Sequence, residues 1–170
     1  HTRYISVTGV QTCALPILIY IDLDGFKRVN DTLGHDQGDA LLRQVGQRLR
    51  THLRQTDVVC RLGGDEFAVI LENTAAGEAL DAIAGLLVDV LSRPYLLQED
   101  QVVNHVSASI GVCCFADIEH DRDTLLRCAD QAMYRAKQAG KRTWRRYLPP
   151  PAETRPEGPG DRKSTRLNSS

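Results

Sequence analysis

The chain has 170 residues, one domain's worth on the usual prior of roughly 100–200 residues per domain. Its 42% hydrophobic and 25% charged residues are an ordinary globular composition, which excludes collagen-like, coiled-coil and wholly disordered classes. With 21 basic against 22 acidic residues the net charge is -1, so no attraction to nucleic acid or anionic membrane is expected, and a phosphate ligand must be held by local geometry. The longest apolar run, 13–21, is interrupted by Pro16 and falls well short of the roughly 20 residues that cross a bilayer. Five cysteines (Cys13, Cys60, Cys113, Cys114, Cys128), with no C-x-x-C pair and no zinc-spaced histidine, predict free thiols in a reducing cytoplasm. Cys60, Cys113 and Cys114 sit in strand-like runs, where cysteine acts as a small hydrophobe.

In chain order, residues 1–17 show neither helical nor strand periodicity. Their VTGVQTCALPI stretch, like RKSTRLNSS at the other end, is similar to translated sequencing adapter, so 1–17 is expected to be a non-native segment. LIYIDLD (18–24) is an apolar, β-branched run ending in two acids, a buried strand with its polar end at the sheet edge. Leu41, Leu42, Val45, Leu49 and Leu53 recur at helical spacing after Gly38. DVVCRL (57–62) and EFAVIL (66–71) flank Gly63, Gly64 and Asp65 as a β-hairpin, with Phe67, Val69 and Leu71 inward. A second amphipathic helix covers 76–92, with Leu80, Ile83, Leu87 and Val90 or Leu91 inward. Strands follow at 95–98 and 101–114, then a helix at 122–139 carrying Leu125, Leu126, Ala129 and Met133, and a last strand at 143–148. Residues 149–160 hold five of the seven prolines, a linker before the adapter-like tail that ends at 170. The order predicts an α+β fold, an antiparallel-rich central sheet covered by helices in the β-α-β-β-α-β manner.

The hairpin turn carries the chemistry. Turning the chain requires glycine but not the acid pair Asp65 and Glu66 that follows Gly63 and Gly64. A βαβ-type connection is expected to set the first strand beside the hairpin's first strand, bringing Asp22 and Asp24 to the same rim. Clustered carboxylates without His or Cys suit a hard cation such as Mg2+, held by one or two carboxylates and substrate phosphates.

Arg61-Leu62-Gly63-Gly64-Asp65-Glu66-Phe67, with Asp22-Leu23-Asp24-Gly25-Phe26-Lys27-Arg28-Val29-Asn30-Asp31 and Gly34-His35-Asp36-Gln37-Gly38-Asp39, resembles the GGDEF family, the bacterial diguanylate cyclases. Ser109-Ile110-Gly111-Val112 and Ala129-Asp130-Gln131-Ala132-Met133-Tyr134-Arg135-Ala136-Lys137 extend the likeness over residues 18–148, taken as the domain. The resemblance implies a ferredoxin-like, nucleotide-cyclase-like fold and an additional helix before the first strand. Adapter-like residues stand in that helix's place, so an N-terminally truncated domain is expected.

The resemblance further implies condensation of two GTP molecules into cyclic di-GMP with release of two pyrophosphates, at a homodimer interface, in a protein with an upstream sensor domain. It assigns metal binding (Mg2+, with Mn2+ as an alternative) to Asp22, the Leu23 carbonyl and Asp65, with Glu66 a further metal or base candidate beside Gly63 and Gly64. Guanine recognition falls to Asn30 and Asp39, whose residue types alone also fit a turn residue and a helix cap. Phosphate contacts fall to the backbone of Gly25, Phe26 and Lys27 in the turn after the first strand, and to Lys137 and Lys141. Lys141 stands where the family has arginine, keeping charge without the planar fork; Arg142 is adjacent. Arg54-Gln55-Thr56-Asp57 matches the family's inhibitory R-x-x-D product site, and Gly85 stands where some members carry a second inhibitory arginine. On residue types alone Arg54 and Asp57 also fit a surface ion pair, and the whole domain also fits a noncatalytic GTP- or cyclic di-GMP-binding module. His35 is read as structuring a loop, and His52, His105 and His120 carry no functional expectation.

Overall fold

The computed structural model describes residues 15–118 and 121–151. In chain order these form β1 (Ile17–Asp24), α1 (Phe26–Leu33), α2 (His35–His52), β2 (Val58–Gly63), β3 (Glu66–Leu71), α3 (Glu78–Leu91), β4 (Tyr95–Leu96), β5 (Val102–Val103), β6 (Ser107–Cys114), α4 (Arg122–Gln138) and β7 (Thr143–Arg146). Five strands make one sheet in the order β2-β3-β1-β6-β7, antiparallel throughout except for the parallel pair β6–β7. The α+β reading holds. Among the described residues no helix is long and apolar enough to cross a membrane.

β1 is central and covered on both faces, which is why it reads as a continuous apolar run rather than an alternating one. Ile17, Ile19, Ile21 and Leu23 share one face and join Val29 of α1, Leu41, Val45 and Leu49 of α2, and Leu80, Leu87 and Leu91 of α3 in the larger core. Leu18 faces the other way and packs with Ala68, Cys113, Cys128 and Ala129 under α4. There α4 lies against the strands. A Cβ at Gly111 would overlap the Ala129 carbonyl oxygen and the Met133 backbone nitrogen, so only glycine lets the helix come this close. Small residues on α4 (Cys128, Ala129, Ala132, Ala136) make the same contact from the helix side.

The α3 terminus is tied off by Arg48 and by the Tyr95 hydroxyl, which donates to the Leu91 carbonyl at 2.7 Å. Arg48 donates to the carbonyls of Val90 and Arg93 (both 2.8 Å) and Pro94 (2.5 Å), and its guanidinium lies 3.7 Å from the Tyr95 ring centroid. Carbonyls that the helix end leaves without intrahelical partners are thereby satisfied, and β4 is fixed to α2.

Several expectations are corrected. β1 neighbours β3, the second strand of the hairpin, with Asp22 opposite Glu66; β3 inserts between β1 and β2. The turn expected at Gly25–Lys27 opens a helix instead: α1 was not expected, because its eight residues give too few apolar repeats and include Asn30, Asp31 and Thr32, poor helix formers. α2 starts at His35, so His35 is helical rather than a loop residue, and Asp39 is inside the helix rather than its cap. The long strand expected at 101–114 divides into β5 and β6, because β5 turns back on β4 in a separate ribbon, with Tyr95 opposite Val103 and Leu96 opposite Val102. Ile83 is only half-buried and Ala84 takes the inner place on α3; on α4 Leu125 and Leu126 are likewise half-buried. Cys60 is exposed, since β2 is an edge strand, whereas Cys113, Cys114 and Cys128 are buried free thiols. Cys13 and His120 lie outside the described residues.

Candidate active site

The site forms where β1 ends. Alternation along the strand puts Asp22 and Asp24 on the α4 face, and both are buried, 8% and 6% exposed. Their partners differ. Asp24 accepts from Ser107 Oγ (2.9 Å), Ser109 Oγ (2.8 Å) and the Arg142 backbone N–H (3.3 Å), so its carboxylate is engaged by β6 and by the turn after α4. In that turn Gly140, Lys141 and Arg142 are all left-handed, and the bond to Asp24 helps to hold the strained pair of side-chain-bearing residues. Asp22 pairs instead with the Lys137 ammonium at 2.7 Å.

The hairpin turn adds two acids. Gly63 pairs with Glu66, leaving Gly64 and Asp65 as the loop; Gly64 has φ 49°, a left-handed conformation that glycine adopts without strain. Arg61 Nε donates to the Gly64 carbonyl at 2.9 Å, and the Leu23 N–H donates to the Asp65 carbonyl at 3.1 Å, tying the turn to the end of β1. Burial raises the Asp22 carboxyl above its usual range, and the Asp65 and Glu66 charges add to this against the pull of Lys137. For Lys137, burial works against the ammonium, but the hydrogen bond and charge of Asp22, with Asp24 and Asp65, outweigh it and raise its pKa. Tyr20, one pleat back on the same face, has its phenol pushed up to about 12 by burial and then by Glu66.

Two further features surround these acids. Gly25, left-handed at φ 78°, turns the chain into α1 with its Cβ direction closed by the His105 carbonyl at 2.9 Å; no side chain caps the helix and its first turn carries no acid. The leading amides of α1, at Phe26 (buried) and Lys27 (exposed), thus form an open, positively polarised helix end beside Asp22 and Asp24. Asn30 lies on α1 directly over Gly38 of α2, where a Cβ would overlap its amide oxygen; that oxygen is buried with no hydrogen-bond partner. Asp39, exposed, opens onto a hollow of about 350 Å³ shared with Leu42, Arg43, Arg61 and Phe67.

The expected residues are thus not all in one place. Asp22, Leu23, Gly63, Gly64, Asp65, Glu66, Phe26, Lys27 and Lys137 come together around the end of β1, with Asn30 and Asp39 at the α1–α2 junction. Lys141 is exposed in the turn after α4. Arg54 and Asp57 lie apart, before β2. There is no ion pair between their side chains: Asp57 Oδ2 accepts from the Arg54 backbone N–H at 2.9 Å, and Asp57 Oδ1 is buried and unpartnered. A cavity of about 400 Å³ is lined there by Arg50, Leu53, Arg54, Gln55, Asp57 and Val59. Gly85 is inside α3. Residue-type reasoning missed Arg61, Gly38, Gly111 and the Ser107–Ser109 pair as positioning groups; the small residues alternating on β6 were the available signal.

Among the described residues no three His, Cys, Asp or Glu side chains converge on a cation position. The donors around Asp22 are oxygens, and the buried Asp22 carboxylate holds a cationic partner, so the residues fit a hard cation that brings further ligands with it.

A family model described as diguanylate cyclase, GGDEF domain, matches residues 10–143. The bifunctional diguanylate cyclase/cyclic di-GMP phosphodiesterase MucR of Pseudomonas aeruginosa is 43% identical over 126 residues, covering 73% of this chain and 18% of MucR. The response regulator PleD of Caulobacter vibrioides is 38% identical over 123 residues, covering 72% of this chain and 27% of PleD. The chain therefore spans only a minor part of the curated relatives it matches. Among solved structures, the GGDEF domain of TpbB from P. aeruginosa has a TM-score of 0.74 at 36% identity, covering 79% of this chain and 83% of that one. The active GGEEF domain of a diguanylate cyclase from Vibrio cholerae has a TM-score of 0.68 at 30% identity, covering 78% and 83%.

Proposed function

The chain belongs to the family of diguanylate cyclase GGDEF domains, and from that premise we propose that it condenses two GTP molecules into cyclic di-GMP, releasing two pyrophosphates. The observation that carries this reading is the convergence at the end of β1: buried Asp22 opposite Glu66, the Asp65 turn tied to Leu23, and the open α1 end. Negative charge meets an uncapped helix end there, an arrangement suited to a metal–triphosphate rather than to either partner alone.

In this reading Asn30 and Asp39 read the guanine edge, from the α1–α2 junction where Asn30 packs over Gly38. The amides of Gly25, Phe26 and Lys27 receive phosphate oxygens, and Lys137 and Lys141 neutralise the polyphosphate. Asp22, the Leu23 carbonyl and Asp65 would hold Mg2+, or Mn2+ with the same oxygen donors. Such an ion, when bound, stabilises the departing pyrophosphate and acidifies the attacking hydroxyl. The 3′-hydroxyl of each nucleotide attacks the α-phosphorus of the other, the bond to the bridging oxygen breaks, and pyrophosphate leaves. Each hydroxyl proton passes to Glu66, Asp65 or solvent. Since one site holds one nucleotide, closing both bonds needs two protomers face to face, which an upstream sensor domain would impose. Arg54 and Asp57, beside their cavity, are assigned to inhibitory product binding, and the substrate GTP places the reaction in the cytoplasm.

The test is GTP turnover with Mg2+, following pyrophosphate and cyclic di-GMP, for the chain fused to a dimerising coiled coil and for its Asp65→Ala variant. Product that disappears in the variant is the expected result. A folded, dimerised chain that binds GTP yet forms no product would replace the cyclase with a noncatalytic nucleotide-binding module.

A further inference from the structure

We propose that Lys137 is the resident counter-ion of Asp22: in the nucleotide-free protein its ammonium fills the cation position, so the site takes a divalent ion only together with the nucleotide. The inference rests on the reading of Asp22 as a metal-binding residue given above. Three observations support it. The ammonium is 2.7 Å from Asp22 Oδ1, with side chains 31% and 12% exposed, which is a seated contact rather than a solvent-facing one. A free divalent ion would also need further protein ligands already in place, but Asp24 is engaged by Ser107, Ser109 and the Arg142 amide, and among the described residues Asp22, Asp65 and Glu66 do not form a ready three-ligand group. Finally, the stem of Lys137 starts from a fixed point. It leaves the last turn of α4, whose height above the sheet is set by the close approach of Ala129 and Met133 to Gly111. Its four-carbon chain is nevertheless flexible enough for the head to swing while the helix stays put.

The consequence is an exchange. A divalent ion arriving alone must displace the ammonium and leave it without a partner in a partly buried place, which is unfavourable. An ion arriving on a triphosphate brings several negative oxygens, and the ammonium moves from Asp22 to them. Lysine thereby serves two anions in turn, first the empty site's carboxylate and then the substrate's phosphates. Neutralising Lys137 should have opposite effects on two affinities measured in one variant. A lysine that acts on phosphate alone leaves nucleotide-free metal binding unchanged, and a merely structural lysine weakens both.

The experiment is an equilibrium dialysis of Mn2+ against the full 170-residue chain, reading the Mn2+ and nucleotide retained with the protein in excess of the protein-free chamber, with and without 3′-deoxy-GTP, which lacks the attacking hydroxyl. Wild type is expected to take up Mn2+ only with the nucleotide. Lys137→Gln should bind Mn2+ alone about tenfold more tightly than wild type and Mn2+–3′-deoxy-GTP about tenfold more weakly. Adding Asp22→Asn should abolish the gain. Lys137→Met, which keeps the apolar stem, serves if the glutamine variant is misfolded by circular dichroism, and Lys137→Arg should stay as closed to free Mn2+ as wild type. Unchanged or weaker nucleotide-free Mn2+ binding in folded, charge-free variants would overturn the proposal while leaving the nucleotide site intact. Failure of wild type to bind Mn2+–3′-deoxy-GTP would overturn the nucleotide reading itself.

Discussion

Replacing Gly111 by alanine tests the packing that positions the site. The new Cβ would overlap the Ala129 carbonyl oxygen and the Met133 backbone nitrogen and lie 2.9 Å from Met133 Cα, about 0.5 Å inside the 3.4 Å where ordinary contact begins. The obstacles are backbone atoms in the middle of a helix with both residues buried, so no side chain can swing clear. The helix must lift, opening the Leu18–Cys113–Cys128–Ala129 cluster and pulling Lys137, one turn beyond Met133, away from Asp22. Overpacking usually costs about 1–3 kcal/mol, and a backbone obstacle puts this case at about 3 kcal/mol, a large share of a domain's roughly 5–15 kcal/mol. Gly85→Ala is the matched control: the same methyl in α3 meets nothing within 4 Å and is expected to stabilise by about 0.5–1 kcal/mol through the lost freedom of glycine. The assay is urea unfolding followed by far-ultraviolet circular dichroism. Equal midpoints for Gly111→Ala and wild type, or equal shifts for the two glycines, would refute the close-approach reasoning.

Arg48→Ala leaves carbonyls of Val90, Arg93 and Pro94 without their shared donor and uncovers Tyr95; a loss of about 2–3 kcal/mol in the same unfolding assay is expected, only partly restored by Arg48→Lys. Among Cys60, Cys113, Cys114 and Cys128, alkylation of the native protein at pH 8 should label exposed Cys60 first, since burial pushes the Cys113 thiol up to about 12; peptide mass spectrometry gives the order. Burial also raises Tyr95 to about 12, against the pull of Arg48, so its contribution is fully present below pH 10 and is lost as pH rises toward 12. Tyr95→Phe should flatten the alkaline fall in stability, read by unfolding midpoints at a series of pH values.

How much of this could be seen in the residues depended on the range of the forces involved. β1, the hairpin, α3 and α4 were legible because apolar spacing within each segment decides them, and the acids of the turn were legible because turning the chain does not require them. α1 was not, since two turns carry little periodic signal and its stability comes from burying Phe26 and Val29 rather than from helix propensity. The split between β5 and β6 and the pairing of β1 with β3 are long-range choices, made by which edges find each other. In the site, residue types could nominate Asp22 and Lys137. They could not say that the two neutralise each other while Asp24 serves Ser107 and Ser109, because that depends on the height of α4 over Gly111.

The register of β1 also bears on how the chain is made. Among the described strands it is the first made, yet its pairing with β6 joins Tyr20 to Gly111 and Ile17 to Cys114. At ribosomal rates of about 5–20 residues per second, its second edge stays open on the order of ten seconds after β1 emerges. During that interval the hairpin covers only one edge, and the other edge of an apolar strand bearing the site's buried acids is open to the cell. A chaperone that recognises extended apolar segments would find its strongest target there, and release from it would be timed by the emergence of β6.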